Sequence, residues 1–127
     1  MGQNDMRTPL ARASGLGSAR EGLRGWQAER ISAVALVPLT LWFAASIIAH
    51  RGSTYIAFIA WLGAPVVATL MILLLTALFH HTALGIQVII EDYVHSGKRG
   101  AAIVAVRLGC FAMATAGIIA TLRIAVR

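Results

Sequence analysis

The sequence has little charge and puts it in few places. Only 13% of its 127 residues are Asp, Glu, Lys or Arg, where a soluble domain carries about a quarter. Positions 31–50 and 52–90 hold none of the four, and positions 100–122 hold only Arg107. That distribution excludes an ordinary water-soluble domain. Cysteine is scarcer still. Cys110 stands alone, which rules out an internal disulfide framework and leaves no cluster of thiolates for iron–sulfur ligation. Acidic residues number five against eleven basic, for a net charge of +6. The basic residues are scattered at the edges of apolar runs rather than interleaved with aromatics, so a nucleic-acid partner is not indicated. No glycine-rich nucleotide loop and no Ser-His-Asp arrangement is present, so the chain lacks a catalytic centre for soluble substrates.

What the sequence has is apolar length. Apolar residues make up 58% of the chain, and the mean hydropathy is +0.77. Uncharged runs of about 18 residues or more can cross the ~30 Å hydrocarbon layer as helices. The expected fold is an all-α integral membrane protein. A polar tail is expected over residues 1–29 and a three-helix membrane unit over 30–127, with helices at about 30–50, 60–91 and 101–123. Cys110, Gly109 and Gly117 read as packing residues of the third helix. Pro38 in the first helix calls for a kink or a closely packed neighbour. Helix two starts between Tyr55 and Pro65, with a break at Gly63-Ala64-Pro65.

The tail does not fit the usual targeting patterns. The apolar run from Ile31 exceeds the 7–15 residues of a signal-peptide core, and Met6 stands where a myristoylation motif needs Ser or Thr. Asp5, Glu21 and Glu29 disfavour a mitochondrial presequence. The first helix reads as an uncleaved signal anchor. Orientation follows from the basic residues. Arg7, Arg12, Arg20, Arg24, Arg30, Lys98, Arg99 and Arg107 fall on one side, with only Arg51, Arg123 and Arg127 on the other. Eight against three places the amino terminus inside and the carboxyl terminus outside.

Polar groups inside the apolar runs carry the functional signal. His80 and His81 lie about ten residues above Glu91, roughly 15 Å from the inner boundary. Ionisable residues at that depth are costly and default to functional candidates. His81 shares a helix face with Gly85, Val88 and Asp92. The glycine clears a patch beside the histidine against which a flat macrocycle could lie. His80 heads a second face through Leu84, Gln87 and Glu91, polar but without a cleared patch, so His81 is the better ligand candidate. Adjacent residues point about 100° apart, whereas axial ligands approach a haem from opposite faces. His50 sits at the far end of helix one. A two-histidine haem would therefore need its second histidine from another chain. At the inner end of helix two, Asp92 and Tyr93 suit different chemistry, in which a phenol donates to a quinone carbonyl and a carboxylate assists proton delivery. Arg30 is both a topology signal and a candidate to neutralise a cofactor carboxylate. Arg107 is placed to snorkel to the inner face.

The segment from His81 through Gly85 to Asp92, Tyr93 and His95 resembles the signature of the small cytochrome b membrane-anchor subunit of succinate dehydrogenase, respiratory complex II. The spacing agrees: histidine to glycine four, histidine to aspartate eleven, then tyrosine. The opening of helix one, from Glu29-Arg30 onward, is also similar, and the layout agrees over about residues 24–123. The resemblance implies that this chain pairs with a second cytochrome b anchor subunit in a helical bundle. The two would sandwich one haem b, each giving one histidine, while an iron–sulfur subunit and a flavoprotein subunit sit on the inner face. It implies His81 as the axial ligand of the haem iron and Arg30 near the haem propionates. Tyr93 and Asp92 would line a ubiquinone-reduction site, with ubiquinone as substrate. His80, beside the expected ligand, departs from the pattern and makes that assignment a matter of register. The resulting reading is a non-catalytic anchor subunit of succinate dehydrogenase, serving the tricarboxylic acid cycle and aerobic electron transport. Compact loops place it in a bacterial inner membrane rather than a mitochondrial one. One rival is a small transporter or proton-conducting protein using His80, His81 and Asp92 as a relay. Another is the anchor of a related fumarate reductase or of another two-chain cytochrome b.

Overall fold

The computed structural model describes residues 17–95 and 97–127, with side chains from residue 22 onward. It contains four helices and no strand among the described residues: α1 (Gly17–Ala49), α2 (Tyr55–Gly63), α3 (Pro65–Tyr93) and α4 (Arg99–Ala125). Three of them are long and apolar enough to cross a membrane, over Gly22–Ala49, Pro65–Tyr93 and Arg99–Ala125.

The breaks have local causes. Pro65 lacks an N–H and disfavours helical backbone in the residue before it. Ala64 is accordingly extended, at φ −62° and ψ 133°, and Pro65 opens α3 at its first position. The turn between α1 and α2 uses Gly52 at φ +83°, a conformation that side chains disfavour. Thr54 then caps α2, its hydroxyl accepting from the Ala57 N–H at 3.3 Å. At that end Trp61 stacks near Trp42, His50 and Phe58, with ring centroids 6.4, 4.4 and 5.3 Å away.

The first helix starts thirteen residues earlier than the expected position 30. Residues 19–30 are dominated by Ala, Arg, Glu, Leu and Gln, good helix formers, though Gly22 and Gly25 interrupt them. Extending an existing helix costs far less than nucleating one, so the apolar span recruits the polar segment before it. Residues 1–16 of the expected tail lie outside the described residues. At 33 residues, α1 is about 50 Å long, well beyond the hydrocarbon thickness. Pro38 lies within it, exposed, and does not end it.

Helix α3 is central. It packs against α1 on one flank and α4 on the other; α2 covers the Pro65 end against α3 and α4, and among the described residues α1 and α4 have no direct packing. The result is an open row of helices with almost no interior. Among the described residues only Ser32, Ala68, Leu74 and Thr121 are buried, while Val34, Ile56 and Phe111 point outward and are at least 70% exposed. In water this surface would aggregate. In a bilayer, lipid and other membrane helices cover it.

Candidate functional site

The two neighbouring histidines go to different flanks of α3. His81, half-buried, faces α1, where its Nδ1 lies 3.1 Å from the Ser32 hydroxyl oxygen. His80 is exposed and lines a groove of about 490 Å³ between α3 and α4, together with Phe79, Arg107, Cys110 and Phe111. The 100° step between adjacent helical residues sends the two side chains to different flanks. One histidine is thus held by a polar partner, and the other borders an apolar groove.

The contact with Ser32 fixes a level along the bundle. Glu29 and Arg30 precede Ser32 on the same helix by less than one turn, so both sit within about one helical turn of His81's height. Sequence reasoning placed Arg30 at the inner edge of its helix. With α1 continuing to Gly17, Arg30 stands within the helix rather than at its start, and its guanidinium lies back over the Trp26 ring at 4.8 Å. That posture points the charge toward the amino-terminal end of α1. Arg30 is exposed, and it is two residues, about 200°, from Ser32 around the helix. The structure therefore brings it to the level of His81 but not into contact with it.

A haem against this face meets suitable chemistry. Among the described residues Nε2 of His81 has no hydrogen-bond partner, and no enclosed side-chain nitrogen or oxygen is left unpaired, so Nε2 is not sealed inside the chain. One turn on, a Cβ built on Gly85 meets nothing within 4 Å. Val88 and Asp92, further along the same stripe, are exposed. The stripe thus offers a nitrogen donor, a cleared patch and an open flank, and these fit a flat iron macrocycle shared with another chain.

The Tyr93 end of α3 separates two adjacent carboxylates. Glu91 is half-buried and accepts from the Gln87 side chain at 2.7 Å; Gln87 in turn accepts two bonds from Arg107, at 2.6 and 3.1 Å. Arg107, expected to snorkel, is instead tied across the α3–α4 seam. Asp92 is exposed, and Tyr93 is 81% exposed; neither makes a side-chain hydrogen bond among the described residues. Asp92 and Tyr93 are thus available to partners while Glu91 is engaged internally. Ser32 is the residue that sequence reasoning missed. Placing the helix start at 30 put Ser32 at a surface, where a serine carries no signal.

A row of membrane helices with an unfilled core, one clamped histidine and apolar flanks defines a class: a multi-pass membrane subunit that completes itself with other chains. Residues 4–115 match the family described as succinate dehydrogenase/fumarate reductase transmembrane subunit, and the chain belongs to that family. It is similar to the succinate dehydrogenase hydrophobic membrane anchor subunit of Rickettsia bellii, at 37% identity over 106 residues, or 82% of this chain and 84% of the relative. The corresponding subunit of Paracoccus denitrificans is 36% identical over 97 residues, 76% of this chain and 75% of the relative. That of Rickettsia conorii is 25% identical over 118 residues, 91% and 94% respectively. No solved structure matches the chain. The expected anchor role in a succinate dehydrogenase complex thus agrees with both the fold and the relatives.

Proposed function

We propose that this chain holds one side of a haem b through His81 and lines a ubiquinone-reduction site through Asp92 and Tyr93. It works from a bacterial inner membrane with its amino terminus inside. The carrying observation is the state of His81, with Nδ1 engaged by Ser32, Nε2 not sealed inside the chain and the Gly85 patch open beside it. Haem, when bound, supplies a one-electron store between the iron–sulfur clusters and the quinone. The residues of this chain do the rest. His81 offers its Nε2 lone pair, and Gly85 leaves room for the ring edge. Arg30, exposed within one helical turn of the level of His81, would be the residue to pair with a haem propionate. Tyr93 donates its phenol proton in a hydrogen bond to a quinone carbonyl, and Asp92 passes protons in from the aqueous side.

The partners are a second cytochrome b anchor subunit carrying the opposing histidine, and iron–sulfur and flavoprotein subunits on the inner face. Succinate is oxidised on those subunits and not here. The relay reading has less support, because His80 and His81 face different neighbours and no hydrogen-bonded chain joins either to Asp92 among the described residues.

The test is a reduced-minus-oxidised absorption spectrum of the complex from gently solubilised native membranes. A b-type signal should accompany a second small hydrophobic chain and two larger subunits. His81→Ala should abolish the signal and His80→Ala should keep most of it. Loss in the second variant alone would reverse the ligand assignment. A complex without haem would sink the cofactor reading.

A further inference from the structure

We infer that Ser32 is the positioning residue of His81: its hydroxyl oxygen accepts the Nδ1 proton, selects the tautomer that leaves the lone pair on Nε2, and sets the basicity of that nitrogen. This rests on the reading of His81 as a haem ligand and adds the group behind it.

The assignment comes from proton counting. Ser32 Oγ lies 2.8 Å from the Glu29 backbone carbonyl, on its own helix. A carbonyl only accepts and a serine hydroxyl has one proton to give, so that proton is spent on Glu29. The 3.1 Å contact between Ser32 Oγ and His81 Nδ1 then needs its proton from the ring. A neutral imidazole has one N–H, so placing it on Nδ1 leaves Nε2 as the lone pair. Ser32 is 6% exposed in the α1–α3 seam, so neither water nor lipid competes for the bond. The ring is held in direction as well as in tautomer.

The same chain of bonds makes a prediction about electrons. An acceptor on Nδ1–H pushes density into the ring and strengthens Nε2 as a donor, which favours the ferric over the ferrous state. Glu29 contributes through its backbone, so the side chain at position 29 is not required. His80 serves as an internal contrast, since it is exposed and borders the α3–α4 groove instead of facing Ser32.

The test uses the intact complex purified from membranes, with Ser32→Ala, Ser32→Thr and Ser32→Cys compared with His81→Ala. Haem content and the haem midpoint potential are read together, and succinate oxidation with a soluble acceptor reports assembly. Ser32→Ala should raise the potential and loosen haem by roughly tenfold or more, the range for losing an outer-shell partner of a ligand histidine. Ser32→Thr keeps the hydroxyl and should return both values towards wild type. Ser32→Cys preserves shape with a poor acceptor, so it should shift the potential upward even if Ser32→Ala fails to assemble. A wild-type potential in both Ala and Cys variants, with haem lost in His81→Ala, would overturn the role of Ser32 and leave the ligand reading standing. Retention of haem in His81→Ala would overturn the ligand reading itself.

Discussion

The two seams of α3 are built on different terms. Against α4 the packing is close: a Cβ on Gly117 would come within 3.0 Å of Leu75 Cδ1, and Thr121 is buried beside it. The polar groups there, Arg107, Gln87 and Glu91, satisfy one another. Against α1 the polar link is the Ser32–His81 contact, and it leaves one ring nitrogen not sealed inside the chain. The first seam holds the chain together; the second presents a group to something else. In a membrane this division is expected, because lipid gives helices no hydrophobic reason to associate and close small-residue packing does that work instead.

The sharpest way to break the comparison is to fill each seam in turn. Gly85→Leu projects a side chain into space where the chain itself has nothing within 4 Å. Assembly of the complex and succinate oxidation with a soluble acceptor should persist. Haem binding should weaken by about 1–3 kcal/mol, one to two orders of magnitude in occupancy constant, as overfilling a packed site does. Haem content from the absorption spectrum checks it, and a wild-type value would mean that no macrocycle edge lies against Gly85. Gly117→Leu does the reverse. It should cost roughly 2 kcal/mol of bundle stability by driving Leu75 and α4 apart, seen as earlier heat inactivation of the detergent-solubilised complex. Haem and activity should then disappear together.

Tyr93→Phe tests the open end of α3. The phenol is exposed and unshared among the described residues, so its removal should leave stability unchanged. Succinate-to-quinone electron transfer should slow about tenfold, the size expected for one lost hydrogen bond in the reacting complex. Transfer to a soluble acceptor at the flavin end should not change. If both rates fell together, Tyr93 would be a packing residue of the assembly.

Much of this was legible in the sequence. Charge-free runs locate the spans, and Pro65 marks the break before α3. The spacing of His81, Gly85 and Asp92 marks one face. Two things were not legible, and for physical reasons. The start of α1 depends on helix propagation into a polar segment whose two glycines argue against it, and that put Arg30 and Ser32 inside the helix rather than at its start. The fates of His80 and His81 depend on which helix lies on which flank of α3. A 100° difference on one helix has no meaning until its neighbours are placed.

The smallest effect tests whether Arg107 belongs to structure or to function. Its guanidinium donates twice to Gln87, which donates once to Glu91, so Gln87→Leu strands a cation and a carboxylate at once. In water-poor surroundings that sounds severe. Yet Glu91 lies two residues from the end of α3 and Arg107 reaches toward it through Gln87, so each can turn toward headgroups and water, and polar contacts between membrane helices average well under 1 kcal/mol when measured by paired substitution. The expected cost is therefore about 0.5–1 kcal/mol, read as a small shift in heat inactivation, with haem content unchanged because His81 faces the other seam. A loss of haem in Gln87→Leu would mean that the α3–α4 seam reaches the histidine after all, and that the two seams are not independent.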